Sequence, residues 1–213
     1  MQAEWPISRN LAANVSKTME RQGPYSASRE QIQAEWQEIQ AAQRDRMYFR
    51  PLYERYFESI YRYIFKRTAD PDLAGDLCQQ VFLKAMQKLD SYRFMGLPFS
   101  AWLYRIAGSE IAMHYRQNQR QRVVSMDGTD LLRLGEEVVE EHVNPFLRDE
   151  LQSALVQALN ELKPSDLEII ELRFFERRPF REIAEILDIT ESNAKVRTYR
   201  ALERLKKAMK HEE

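Results

Sequence analysis

The sequence F-R-E-I-A-E-I-L-D-I-T-E-S-N-A-K-V-R-T-Y-R-A, residues 180–201, decides how the C-terminal part of the chain folds. Apolar residues recur at helical spacing on both sides of Asp188, and aspartate is one of the few residues besides glycine that tolerate a left-handed corner. Thr190 follows as the natural N-cap of a second helix. The pattern predicts a helix–turn–helix whose shared core consists of Ile183, Leu187, Ile189, Ala194 and Val196.

The second helix of this motif is basic, whereas the segment before the motif is acidic. Residues 190–210 hold seven lysines and arginines against two glutamates, and residues 123–152 carry a net charge of −6. A recognition helix presents its first turns to base edges and its basic flank to phosphates. The alternative is an amphipathic helix with a solvated basic face. The residues expected at duplex DNA are Thr190, Glu191, Ser192, Asn193, Lys195, Arg197, Arg200 and Arg204.

A second group of candidate residues interleaves aromatic and basic side chains between positions 92 and 116. Proteins bind single-stranded DNA through aromatic faces that stack on unpaired bases and through cations that hold phosphates. Aromatic residues at helical spacing are also typical of a core, and Trp102 could serve either purpose. The candidates are Tyr92, Arg93, Phe94, Trp102, Tyr104, Arg105, Tyr115 and Arg116.

Helical periodicity and the low glycine and proline content predict an all-α fold, with two small helical domains joined by a flexible acidic linker. The predicted boundaries are an N-terminal extension, partly disordered with one amphipathic helix, at residues 1–46; a first domain at 47–119; the linker at 120–146; and a second domain at 147–213. The helix of the extension, which contains Ile32, Trp36 and Ile39, should pack on the first domain. A regulatory contact by this helix is the alternative.

Three positions have the chemistry of helix starts. Ser28 is a plausible N-cap, and Asp70 should cap a helix whose first residue is Pro71. Ser165 and Glu168 have the spacing of a capping box, in which each side chain satisfies a backbone donor of the other residue.

The sequence argues against an enzyme, a cofactor site and a metal site. Its three histidines are scattered, its single cysteine is Cys78, and no glycine-rich phosphate loop is present. No apolar run has the length of a membrane span, so we expect a cytoplasmic protein. Cys78 lies among apolar positions and is expected to be a small core residue.

Two further stretches, D-L-C-Q-Q-V-F-L-K-A at 76–85 and F-S-A-W-L-Y-R-I-A at 99–107, resemble the sigma-70 family of RNA polymerase subunits in its short extracytoplasmic-function form. The resemblance identifies residues 49–119 with the family's region 2 and residues 147–209 with its region 4. It implies a factor that binds core RNA polymerase, reads the −35 element of promoter DNA through region 4, and opens and reads the −10 element through region 2.

The resemblance also implies roles for individual residues and partners. The helix that docks on the clamp helices of the largest polymerase subunit would contribute Asp76, Gln79, Gln80 and Phe82. Residues 92–98 match the loop that captures a flipped base, and region 4 would contact the polymerase flap. An anti-sigma factor is a common partner in the family. A helix–turn–helix regulator without a sigma role is the alternative, but it would leave residues 76–107 unexplained.

Overall fold

Every regular element that the computed structural model describes, in residues 27–118, 130–131, 134–135 and 148–210, is helical, which confirms the all-α prediction. The expected disorder before residue 27 and most of the acidic linker lie outside the described residues. The α-helices are α1 (Arg29–Arg44), α2 (Arg50–Thr68), α3 (Pro71–Lys88), α4 (Phe99–Asn118), α5 (Arg148–Glu161), α6 (Pro164–Ile170), α7 (Phe180–Leu187) and α8 (Glu191–Lys210).

The predicted caps of α1 and α3 are confirmed. Ser28 accepts a hydrogen bond from the Gln31 N–H, and the Gln31 side chain accepts from the Ser28 N–H, which completes a capping box. Asp70 accepts hydrogen bonds from two backbone N–H groups in the first turn of α3, and Pro71 occupies the first helical position.

The first domain is a bundle of α2, α3 and α4, with α1 packed against α4. Its core contains Leu52, Ile60, Val81 and Leu103, all fully buried, together with Ile39 and Ala42 from α1. Cys78 is also fully buried, as predicted, and burial raises the pKa of its thiol far above the ordinary value. An unreactive core thiol is the consequence.

The second domain is built around α8, which packs against α5, α6 and α7. The inward residues of α8 are Ala194, Thr198, Ala201 and Leu205, which recur at the three- and four-residue spacing of one helical face. Val196 lies on another face and is 45% exposed, so its predicted place in the helix–turn–helix core is wrong.

The capping box predicted from Ser165 and Glu168 is also wrong. Helix α6 begins two residues earlier than predicted, at Pro164, and its N-cap is Lys163 without a side-chain hydrogen bond. The fixed φ of proline suits the first helical position, which moves Ser165 inside the helix. Glu168 instead forms an ion pair with Arg67 of α2, 3.4 Å away.

The two domains contact each other along α4 and α7. The linker also reaches the first domain, because Asp130 forms an ion pair with Lys66 of α2 at 2.6 Å. The described Leu131 and Leu134 of the linker are buried. The packing of α7 on α4 places the helix–turn–helix directly beside the aromatic and basic residues of the first domain.

Candidate nucleic-acid interface

Helix α8 has a capped N-terminus and a polar face toward solvent. Thr190 Oγ1 accepts a hydrogen bond from the Asn193 N–H at 3.2 Å, and Asp188 adopts the left-handed conformation with φ of 55°, both as predicted. The exposed candidates for DNA contact are Thr190, Glu191, Ser192, Asn193, Lys195, Arg200 and Arg204. A major groove of B-DNA admits an α-helix, so the first turns of α8 form a surface suited to groove entry.

The basic side chains of α8 differ in how they are held. Lys195 pairs with Glu191 at 2.8 Å, and Arg204 pairs with Asp166 of α6. Arg197 is partly buried, and its Nη2 donates to the Ser165 carbonyl at 3.5 Å. Arg200 is exposed and has no ion-pair partner within the described part of the chain. The Lys195–Glu191 pair is exposed and worth only about 0–1 kcal/mol, so a phosphate can replace Glu191. Asp166 is buried and therefore holds Arg204 more firmly.

Sequence reasoning missed one prominent residue of this surface, Tyr199, which is 64% exposed. It lies one helical turn after Lys195 and beside Arg200, so it faces the same side of α8 as the candidate DNA contacts. The sequence could have indicated this, because Tyr199 does not fall at the three- and four-residue spacing of the inward residues of α8 and so is not expected in the core.

The loop between α3 and α4 carries an aromatic cluster. Tyr92 is buried, with its ring 5.0 Å from Trp102 and 5.3 Å from Phe99. Phe94 is partly exposed and stacks on Trp36 of α1, with ring centroids 5.1 Å apart. Arg93 is exposed beside these rings. The structure thus brings the predicted aromatic and basic residues of this loop together.

Two other predicted residues of the first domain have hydroxyl groups that are engaged within the protein, and only one of the two, Tyr104, is fully buried. Tyr104 is fully buried, and its hydroxyl donates to Glu176 of the second domain at 2.7 Å. Burial raises the pKa of Tyr104, and the nearby Glu176 raises it further, so the hydroxyl keeps its proton. The Tyr115 hydroxyl donates to the Arg67 carbonyl, while Arg116, one residue later, is exposed.

Acidic side chains of the second domain cover the basic face of α4. Arg105 lies 3.3 Å from Glu185 of α7 and 3.3 Å from Asp188 at the corner of the helix–turn–helix. Arg178, only 5% exposed, donates to the Tyr104 hydroxyl at 3.1 Å and lies 3.3 Å from Glu182. The predicted phosphate contact Arg105 is therefore paired with two carboxylates of the second domain in this arrangement.

A separate exposed surface lies on α3. Asp76, Gln79 and Gln80 are exposed, and Leu83, one turn further along the same face, is 52% exposed. Phe82, also predicted for this surface, is instead buried against Tyr53 and Phe57. Leu83 was missed by sequence reasoning, although its spacing from Asp76 and Gln79 places it on their face. A polar face with an exposed leucine is suited to a protein contact.

The described residues offer neither a metal site nor a helix that could cross a membrane. Within the described part of the chain, no group of three or more histidine, cysteine, aspartate or glutamate side chains is placed to hold a metal ion. None of the described helices combines the length and apolarity that a membrane crossing requires.

Comparison with known families matches both halves of the chain. Residues 52–121 match the model described as Sigma-70 region 2, and residues 152–205 match the model described as Sigma-70, region 4. The first match contains the aromatic loop and the exposed face of α3, and the second contains the helix–turn–helix.

Relatives with established names agree with these matches. The chain is 31% identical to the RNA polymerase sigma factor YlaC of Bacillus subtilis, over 74% of this chain and 90% of that protein. It is 29% identical to the ECF RNA polymerase sigma factor BldN of Streptomyces coelicolor, over 74% of this chain and only 58% of BldN.

A solved structure shares the fold. The sigma factor RpoE from Bartonella quintana, in complex with the anti-sigma factor NepR, matches with a TM-score of 0.52 and 24% identity, over 76% of this chain and 96% of that one. Together with the two region matches and the identity to YlaC, the comparisons show that the chain belongs to the sigma-70 family of RNA polymerase sigma factors, in its extracytoplasmic-function group.

Proposed function

We propose that this protein binds core RNA polymerase and directs promoter-specific transcription initiation, with region 4 reading the −35 element and region 2 opening and reading the −10 element. The observation that carries the proposal is the presence, in one chain, of a capped and exposed recognition helix and an aromatic loop suited to unpaired bases. A helix–turn–helix regulator without a sigma role would need only the first of these.

The domain division of this proposal places region 2 at residues 47–119, an acidic linker at 120–146 and region 4 at 147–213, after an extension at 1–46. The matched ranges 52–121 and 152–205 support the two domains.

The factor itself carries out no chemistry, because nucleotide addition belongs to the polymerase. It acts in the cytoplasm, where bacterial polymerase and promoter DNA are found together.

Docking on the clamp helices of the largest polymerase subunit is assigned to the exposed face of α3 that contains Asp76, Gln79 and Gln80. Phe82 supports this face from beneath, because its ring packs 4.8 Å from that of Tyr53. Region 4 contacts the flap of the polymerase. Holding both domains on one enzyme raises their effective concentration at the promoter, so neither domain has to bind DNA tightly by itself.

Reading of the −35 element is assigned to the exposed face of α8. Each well-placed bidentate contact to a base edge discriminates by about 1–3 kcal/mol. Arg197 reads bases in this assignment, together with Glu191, Ser192, Asn193 and Lys195, and it must leave the Ser165 carbonyl to do so. Arg200 and Arg204 hold phosphates on either side of the groove. Thr190 fixes the start of the helix.

Reading of the −10 element is assigned to the loop at residues 92–98 and to the face of α4 that follows it. Phe94 and Trp102 are partly exposed and available for base stacking, and Arg93 and Arg116 are available for phosphates. Tyr104 is buried against the second domain, and Arg105 is paired with Glu185 and Asp188 of that domain. Their use in strand opening therefore requires the two domains to separate, and core polymerase binding supplies the free energy for that step.

An anti-sigma factor is a further proposed partner. Support comes from the fold shared with RpoE, a sigma factor whose structure was solved in complex with the anti-sigma factor NepR. Such a protein would stabilise an arrangement in which the two domains of this chain cannot reach promoter DNA.

The docking assignment predicts that Asp76→Ala weakens the binding of the full chain to core RNA polymerase by about tenfold, because a central polar contact of an interface is worth roughly 1–2 kcal/mol. The affinity is measured by titrating fluorescently labelled protein with core enzyme. Glu30→Ala, which removes another exposed acid of the same half of the chain, is the matched control. Equal affinities for Asp76→Ala and the unmodified protein would remove the assignment.

The −35 assignment predicts different losses for two arginines of α8. In binding of the holoenzyme to promoter duplexes, Arg197→Ala reduces the preference for the correct −35 sequence by about 5- to 150-fold, because a base contact is lost. Arg200→Ala weakens binding to all sequences alike and lowers the salt slope of log K by about one, because a phosphate contact is lost. Identical effects of the two variants on sequence preference would contradict these roles.

The requirement for domain separation predicts that Glu185→Arg increases the affinity of the free protein for single-stranded DNA. A positive charge facing Arg105 replaces an attractive pair with repulsion, and exposed pairs of this kind contribute about 0.2–1 kcal/mol, so the expected increase is roughly threefold. Fluorescence anisotropy with a labelled oligonucleotide measures it. Glu203→Arg makes the same change of charge at an exposed position of α8, and an equal increase in that control would show a general charge effect instead.

A further inference from the structure

Helix α1 precedes the region 2 match, which begins at residue 52, yet its side chains contact the aromatic loop at both ends and in the middle. We propose that α1 positions this loop for base capture, through Glu35, Trp36 and Gln43. The inference rests on the proposed function of the loop and adds to it a set of residues outside the family match that determine −10 specificity.

The end of the loop is held by Glu35, whose side chain is buried. Its Oε2 accepts a hydrogen bond from the Phe99 N–H at 2.7 Å, and its Oε1 accepts one from the Tyr56 hydroxyl. Phe99 is the first residue of α4, so its N–H is one of the four donors that a helix cannot satisfy internally. A carboxylate at this point also interacts favourably with the positive end of the helix dipole. Glu35 therefore fixes where α4 begins and the loop stops.

The start of the loop is held by Gln43. Its Nε2 donates to the Leu89 carbonyl at 2.8 Å and to the Tyr92 carbonyl at 3.3 Å. These carbonyls lie just beyond the last residue of α3, Lys88, where the chain leaves the helical hydrogen-bonding pattern. One amide of α1 thus joins the end of α3 to the first residue of the loop.

The middle of the loop is held by Trp36. Its ring stacks on Phe94 with an interplanar angle of 13° and lies 6.2 Å from the ring of Tyr92. Phe94 also lines a cavity of about 520 Å³, whose lining includes Ile32 and Gln33 of α1 and, from the second domain, Pro179, Arg181 and Glu182. An aromatic ring that is already ordered loses less conformational entropy when a base stacks on it, which favours binding.

These three contacts are independent of the domain interface, because each joins α1 to the first domain alone. They share one consequence, namely that the loop has a fixed shape before DNA arrives. A loop of fixed shape discriminates among flipped bases, whereas a loop that rearranges around each base discriminates less.

The test uses the full chain with core RNA polymerase and a promoter that the unmodified holoenzyme transcribes. Open-complex formation is followed by the permanganate reactivity of unpaired thymines, on that promoter and on one with a substituted −10 base. The ratio of interest is the rate on the original promoter divided by the rate on the promoter with the substituted −10 base. Trp36→Ala is expected to reduce this ratio by about five- to tenfold, since stacking on one base is worth on the order of tenfold in affinity. Trp36→Phe retains an aromatic face and should restore the ratio to within about twofold.

The ratio separates positioning from general destabilisation, because a less stable protein lowers both rates equally. Gln37→Ala changes the exposed neighbour of Trp36 and should leave the ratio unchanged. If Trp36→Ala keeps the ratio of the unmodified protein, the role of α1 in positioning is wrong. If the unmodified chain itself supports no open complex on any promoter, the proposed function fails, which is a different result.

Discussion

The buried guanidinium of Arg178 joins the two domains, and the accessibility of the α4 face of the first domain depends on this contact. It donates to Ser100 and Tyr104 of the first domain and pairs with Glu182 of its own domain. A buried charge is tolerated only when it is paired and hydrogen-bonded, so these contacts of Arg178 stabilise the docked arrangement of α4 and α7. Arg67 of α2, also buried, pairs with Glu168 and Glu171 across the same boundary. These two buried guanidinium groups, each paired with carboxylates, hold the described parts of the two domains against each other.

This geometry leaves the two DNA surfaces in different states. The recognition face of α8 is open to solvent, whereas Tyr104 of α4 is fully buried and the partly exposed Arg105 is paired with Glu185 and Asp188 of the second domain. Acidic cover on basic positions lowers the affinity of the free protein for DNA in general, because phosphates must displace it. A factor that acts only together with polymerase benefits from this, since it is not retained on other DNA.

The helices and their ends could be predicted from sequence because they depend on near neighbours. Ser28, Asp70 and Thr190 each accept a hydrogen bond from a backbone N–H two or three residues later, at the start of the following helix. The left-handed corner between α7 and α8 depends on the conformation of one residue, Asp188. The family and both DNA-reading segments were predicted for the same reason, since their motifs are contiguous.

Contacts across long distances in sequence could not be predicted, because many alternative pairings exist among the 65 charged residues of lysine, arginine, aspartate and glutamate. The Arg105–Glu185 pair spans 80 residues and the Tyr104–Glu176 pair 72, and nothing in the neighbouring sequence indicates either pair.

The decisive experiment on the sigma role is run-off transcription with core RNA polymerase on a genomic promoter library, with and without this protein. A sigma factor produces new start sites that share paired −35 and −10 motifs. No new start sites, together with sequence-specific duplex binding by the protein alone, would contradict that role and indicate a helix–turn–helix regulator.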